Sequence, residues 1–225
     1  MIIPFEPKLY MSQIDHKINA ETKLNQKEIK ETFRRNINAE LSKSLKSKYE
    51  VLDLLKDTTK YKKDVANIYR NITFNYEKIP DQTNYKTPVE EKGKKSTTIK
   101  NGQILVESNS DARFMNAKVT SATLIPTLYA KYKTDLFLFI NQLDIVSNQL
   151  AAGDIGAVSE RVITLHYTVF TVDAKEINSG TCSIKFPGDV NTPAKITSGY
   201  VNKISAEITR RIAFSLGKID AAAKK

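Results

Sequence analysis

Few side chains in this sequence could serve as a nucleophile, a general base or a metal ligand, and their surroundings limit what each can do. The 225 residues include two histidines, His16 and His166, and one cysteine, Cys182. His16 follows Asp15 in a polar stretch and reads as a surface residue. His166 stands among threonines in a strand-patterned run and reads as an interstrand residue, because a metal site would need both histidines to converge with a carboxylate. A single cysteine excludes an intramolecular disulfide and any multi-cysteine zinc site. Cys182, in the run Thr181-Cys182-Ser183-Ile184-Lys185, reads as a small core residue rather than a nucleophile. The eight glycines form no phosphate-cradling loop, and no strained serine elbow occurs. Glu90, Glu91, Asp144 and Asp154 lack the partner spacing of an acid/base pair. The expectation is therefore a non-enzymatic chain with no catalytic, cofactor-binding or metal site. An enzyme built around His166 or Cys182 is the least favoured alternative.

The formal charge of +10 points to anionic partners such as nucleic acid, phospholipid headgroups or acidic proteins. Lysine is spread along the whole chain, which reads mainly as a solvated surface. Two clusters interleave lysine with tyrosine: Lys60-Tyr61-Lys62-Lys63 and Tyr129-Ala130-Lys131-Tyr132-Lys133. Single-strand binders stack bases on such pairs, so a basic nucleic-acid-binding protein is the alternative function. Against it, Tyr61 and Tyr129 fall on stripes that their helices would bury.

The elements that must position these residues follow from periodicity. Ile2-Ile3-Pro4-Phe5 reads as a short strand that meets Pro7. Asn25 and Glu28 have capping-box spacing ahead of Ile29, Phe33, Ile37, Leu41 and Leu45, the winding stripe of a long helix. Tyr49 to Leu52 reads as strand or helix, with strand favoured, and Tyr61 to Phe74 reads as an amphipathic helix. Residues 80–102 have almost nothing to bury and read as a mobile insertion centred on 81–101. A strand at Gln103 to Glu107 and a helix at Ser121 to Lys133 come next. Strands follow at Asp135 to Ile145, Glu160 to Val172 and Gly180 to Phe186, with a turn from Asp173 to Gly180. In the second of these, Ile163, Leu165, Tyr167 and Val169 share a face, while Thr164, His166 and Thr168 share the opposite, partly wet one. That polar face, with the insertion, is the expected interaction surface. Thr192, Pro193 and Gly217 are placed to start and stop a terminal helix whose buried stripe is Ile196, Tyr200, Ile204, Ile208, Ile212 and Leu216. No apolar run approaches the roughly 20 residues of a spanning helix. Met1 leads straight into an apolar run with no leader, as in a chain from which an export signal has been removed.

The fold class read from this order is α/β (α+β): one domain over 1–225 with a single mixed, largely antiparallel sheet packed by long amphipathic helices. The order, with Pro4-Phe5 closing the first strand, Asp135-Leu136 opening a later one and Val172-Asp173-Ala174-Lys175 leading to Ser179-Gly180 in a hairpin, resembles a known group. It is the domain shared by the curli-secretion lipoprotein CsgG, the penicillin-binding-protein activator LpoB and the N-terminal domain of TolB. The 81–101 insertion and the long strand at 160–172 depart from that pattern. The resemblance implies a non-enzymatic accessory or assembly domain of the bacterial cell envelope, periplasmic or anchored at the outer membrane, whose partners are other envelope proteins; a cytoplasmic location is the alternative. Members are often anchored through a lipidated cysteine upstream of the domain; no cysteine precedes it here.

Overall fold

The computed structural model describes residues 1–78, 98–100, 103–105, 113–147 and 160–223. Its centre is a sheet in which β7 (Leu136–Ser147), β8 (Glu160–Thr171) and β9 (Glu176–Pro187) run antiparallel, while β1 (Ile2–Ile3) and β2 (Tyr10–Ser12) pair parallel to successive parts of β7. The α+β class and the mixed sheet are as the sequence implies. Two separate ribbons accompany it, β3 (Ile72–Lys78) with β6 (Arg113–Val119), and β4 (Thr98–Lys100) with β5 (Gln103–Leu105). The rest of the expected insertion lies outside the described residues.

Antiparallel pairing puts directly opposed residues on one face, and this sorts the core. Leu138, Ile140, Leu143 and Ile145 of β7, Ile163, Leu165, Tyr167 and Val169 of β8, and Cys182 and Phe186 of β9 form the inner face. The long helices close over it: α1 (Asp15–Thr22), α2 (Gln26–Leu45), and α5 (Pro193–Ile196) continuing through a π turn at Thr197–Val201 into α6 (Asn202–Ala223). Each fully buried leucine or isoleucine there contributes about 1.5–3 kcal/mol by leaving water. The apolar alternation in β7 changes phase after Ile140 because Asn141 is an extra residue, a bulge opposite β8. A second apolar cluster covers one end of the outer face, where Phe137, Phe139 and Phe170 meet α3 (Lys62–Arg70) and α4 (Leu124–Tyr132) through Ile68, Leu124 and Leu128.

The capping box forms as its spacing implies: the Asn25 side chain accepts from the Glu28 amide at 3.0 Å, and Glu28 accepts from the Asn25 amide at 2.8 Å. Other boundaries differ. The helix expected over Tyr61 to Phe74 stops at Arg70, and Ile72 to Lys78 is strand, since its alternating β-branched and aromatic residues pair with β6. Tyr49 to Leu52 is no strand; the pairing shrinks to one parallel bridge, Ile2 to Asp53, with the Ile2 amide donating to the Leu52 carbonyl at 2.8 Å. The hairpin turn closes earlier than Gly180, through Ala174 in a left-handed conformation at φ 56°. Gly217 does not end the last helix, which continues to Ala223. Thr192 occupies the N-cap with extended backbone, yet its hydroxyl is buried without a partner among the described residues. His16 lies on α1, exposed, in a stretch that the sequence left unassigned.

Candidate interaction surface

β6 reaches the main sheet with its backbone. The amides of Met115 and Ala117 point away from β3 and are received by side chains on the outer face of β8. Met115 donates to His166 Nδ1 at 2.8 Å, and Ala117 donates to Thr168 Oγ1 at 3.3 Å. From β7, Asn141 Nδ2 donates to the Met115 carbonyl at 2.8 Å and to Thr168 Oγ1 at 2.7 Å. Thr168 in turn donates to Asn116 Oδ1 at 2.6 Å. The second edge of the ribbon is thus satisfied by side chains rather than by another strand, which removes a bare edge from solvent.

This placement bears directly on the three residues expected to form the interaction surface. His166 and Thr168 are buried, at 4% and 0% exposure, because β6 covers them. Thr164, farther along β8, stays half-buried and shares a hydrogen bond with Ser183 at 2.8 Å. The part of the polar face that the ribbon leaves partly open lies at Thr164 and at Asp144 of β7, with Gln142 buried beside them; the sequence did not signal a role for either β7 residue.

A continuous chain of hydrogen bonds leads there. Because Nδ1 of His166 accepts from a backbone amide, its proton resides on Nε2 and is donated to Asp144 Oδ2 at 2.9 Å. Asp144 Oδ1 accepts from Gln142 at 2.7 Å, and Gln142 Oε1 accepts from the Tyr76 hydroxyl at 3.0 Å. The His–Asp pair has the contacts of a general-base dyad but not its freedom, since both ring nitrogens are engaged within the protein. Cys182 pairs with Leu165 and so lies on the opposite face of the sheet from His166. Burial pushes its thiol up to about 12, far from a reactive thiolate. Among the described residues, no group of three or more histidine, cysteine or acidic side chains is placed to hold a metal ion.

A depression of about 460 Å³ opens beside this chain, lined by Tyr10, Met11, Tyr76, Gln142, Asp144 and Val146 among others. Its rim carries Met11, Tyr76 and Val146, exposed by 57%, 53% and 41%, which are three of the five large exposed apolar or aromatic side chains among the described residues. Scattered apolar side chains are ordinary on a surface, whereas these three gather around one concavity. The polar lining is rich in acceptors. Asp15 takes the Tyr10 hydroxyl at 2.6 Å and thereby keeps the phenol protonated, with burial the larger cause of its raised pKa. A larger cavity of about 540 Å³, at the other end of the sheet, is lined by core residues such as Leu45, Leu138, Val169 and Ile212 and by Tyr49 and Leu136. It lacks such a cluster of exposed apolar groups.

No family model matches this chain, and no curated protein matches it. Among solved structures, it is similar to the rare lipoprotein B from Shewanella oneidensis at 13% identity and a TM-score of 0.27, over 45% of this chain and 87% of that one. No helix among the described residues is long and apolar enough to cross a membrane.

Proposed function

We propose that this chain is a non-enzymatic accessory or assembly domain that acts by binding another protein, and that Met11, Tyr76 and Val146 form the centre of the contact. The single observation behind this reading is their convergence on one depression at the open end of the sheet's outer face. The partner segment that fits presents an apolar side chain to this rim and hydrogen-bond donors to Asp144 and Asp15, an arrangement of apolar centre and polar surround usual for interfaces. The cell-envelope setting, periplasmic or outer-membrane-anchored, rests on the likeness in element order to the CsgG, LpoB and TolB group.

Two experiments test the two parts separately. A photo-crosslinking amino acid placed at Tyr76 or Val146 in the native host is expected to trap one discrete protein adduct. The same group at the exposed Ala206, on the helix layer, should trap none. Equal labelling at all three positions would remove the interaction surface. Fractionation of the product of the full native gene is expected to place it in the envelope, and a wholly cytosolic product would remove that setting.

A further inference from the structure

We infer that the lysine- and tyrosine-rich face formed by residues 56–63 together with Tyr129 to Lys133 docks against an anionic phospholipid bilayer. The two Lys/Tyr clusters, far apart in sequence, form one surface in the fold. Tyr61 and Tyr132 meet edge to face with ring centroids 5.9 Å apart, and Lys131 reaches across to Asp64 at 2.8 Å. Lys60 lies over Tyr61 at 5.1 Å, Lys131 over Tyr132 at 5.0 Å and Lys133 over Tyr129 at 5.6 Å, so the tyrosine rings hold the ammonium groups at the surface.

Two carboxylates of this region are engaged by hydrogen bonds within it. Asp57 accepts from the amides of Thr59 and Lys60 at 3.1 and 2.8 Å, and Asp64 accepts from Lys131 and from the Tyr132 hydroxyl. Glu50 and Asp135 line the adjoining cavity together with Lys48 and Lys133. Lys56, Lys60, Lys62, Lys63 and Lys133 are exposed and enter none of the ion pairs among the described residues. Five ammonium groups therefore face solvent without an ion-pair partner among the described residues, and they outnumber the exposed carboxylates of Glu50, Asp57 and Asp135 around them.

The chemistry of the patch selects a bilayer over a nucleic acid. It contains no arginine, the residue whose planar fork reads individual phosphates, and lysines act as mobile point charges suited to a diffuse anionic surface. Of the three rings only Tyr129 is well exposed, at 41%, while Tyr61 is 8% exposed, so successive bases find no stacking platform. One exposed tyrosine among lysines matches the headgroup region of a membrane, where amphipathic rings and cations both settle.

The test is co-sedimentation of the whole chain with phosphatidylcholine vesicles, with and without phosphatidylglycerol. Binding is expected only to the anionic vesicles and should fall as salt rises. Near a membrane surface each lysine contributes about 1 kcal/mol, or about fivefold in partition. Replacing Lys60, Lys62 and Lys63 together by Ala should thus weaken binding roughly a hundredfold. Replacing the same three by Arg should preserve it. Replacing Lys43, Lys46 and Lys195 on the helix layer, which removes the same charge elsewhere, should leave it nearly unchanged. Equal losses from the two alanine triples would overturn the proposal, as would equal binding to neutral vesicles. So would capture of oligo-dT without capture of anionic vesicles.

Discussion

Midway along β8 the two faces are both dry and chemically opposite. Leu165 and His166 are neighbours at 1% and 4% exposure, one packed among the aliphatic side chains beneath the helix layer and the other bonded to the backbone of β6. The inner face is held by non-directional burial, which tolerates exchange of one aliphatic residue for another of similar volume. Beneath β6 the outer face is held by directional bonds, each with a defined donor and acceptor, which tolerate almost none. The outer face thus fixes the position and register of the β3–β6 ribbon, and with it the place where Tyr76 emerges.

The largest effect expected is on the inner face. Leu165→Ala should lower global stability by about 3 kcal/mol, through lost burial and the cavity left behind, and urea unfolding would measure it. The loss should be spread over the whole sheet, so that slowly exchanging amides in β7, β8 and β9 all speed up together. A loss confined to the ribbon would break the distinction between the faces.

His166→Ala should cost about 2 kcal/mol, because the Met115 amide loses its acceptor and Asp144 one of its two donors. Its signature is local: exchange of the Met115 and Ala117 amides should accelerate more than exchange in the centre of β8. His166→Leu, similar in bulk, should not recover the loss, since it supplies packing but no acceptor. Recovery by leucine would mean that the outer face is held by burial after all. Thr168→Val sharpens the same point with a nearly isosteric change. It removes one hydroxyl that serves Ala117, Asn116 and Asn141, and a loss of about 1–2 kcal/mol is expected in the same unfolding measurement.

How much of this was legible in the sequence follows from the same contrast. The alternation of Ile163, Leu165, Tyr167 and Val169 announces a strand with one buried face, and the stripes of α2 and of the terminal helix announce what covers it. A period in apolar residues is a local property. That Thr164, His166 and Thr168 share the other face was equally legible, but not its burial, because polar residues look the same whether they meet water or a backbone. What covers His166 and Thr168 is β6, more than 40 residues away in sequence, and its run Arg113 to Val119 carries Asn116 and Lys118 where a strand pattern would be read for apolar residues. The helix assigned through Phe74 failed for a related reason. Ile72 continues the spacing of Val65 and Ile68 yet is recruited by pairing with Val119, a long-range bond that outweighs the local period. Of the candidate site, Tyr76 gave no signal because it owes its position to that same ribbon, and Asp144 gave none because its bond to His166 depends on the pairing of β7 with β8, which no local pattern shows.

The smallest effect tests whether burial, rather than polarity alone, gives the outer-face contacts their strength. Asp64 joins α3 to α4 through Lys131 and Tyr132 near the surface, where Lys131 is 53% exposed. Burial raises the carboxyl pKa, but the hydrogen bonds from Lys131 and Tyr132 and the lysine charge outweigh it and hold the group below its ordinary 3.8. A carboxyl depressed in the folded state contributes stability that is present above its unfolded pKa and is lost as pH falls through the folded one. Asp64→Asn should therefore cost only about 0.5–1 kcal/mol near neutrality, as exposed pairs do. The difference from the parent should close as pH falls below the ordinary carboxylate range, in unfolding curves followed from neutral to acid pH. If Asp64→Asn proved as costly as His166→Ala, or its cost did not fade in acid, solvent exposure would not be what separates the surface contact from the buried one.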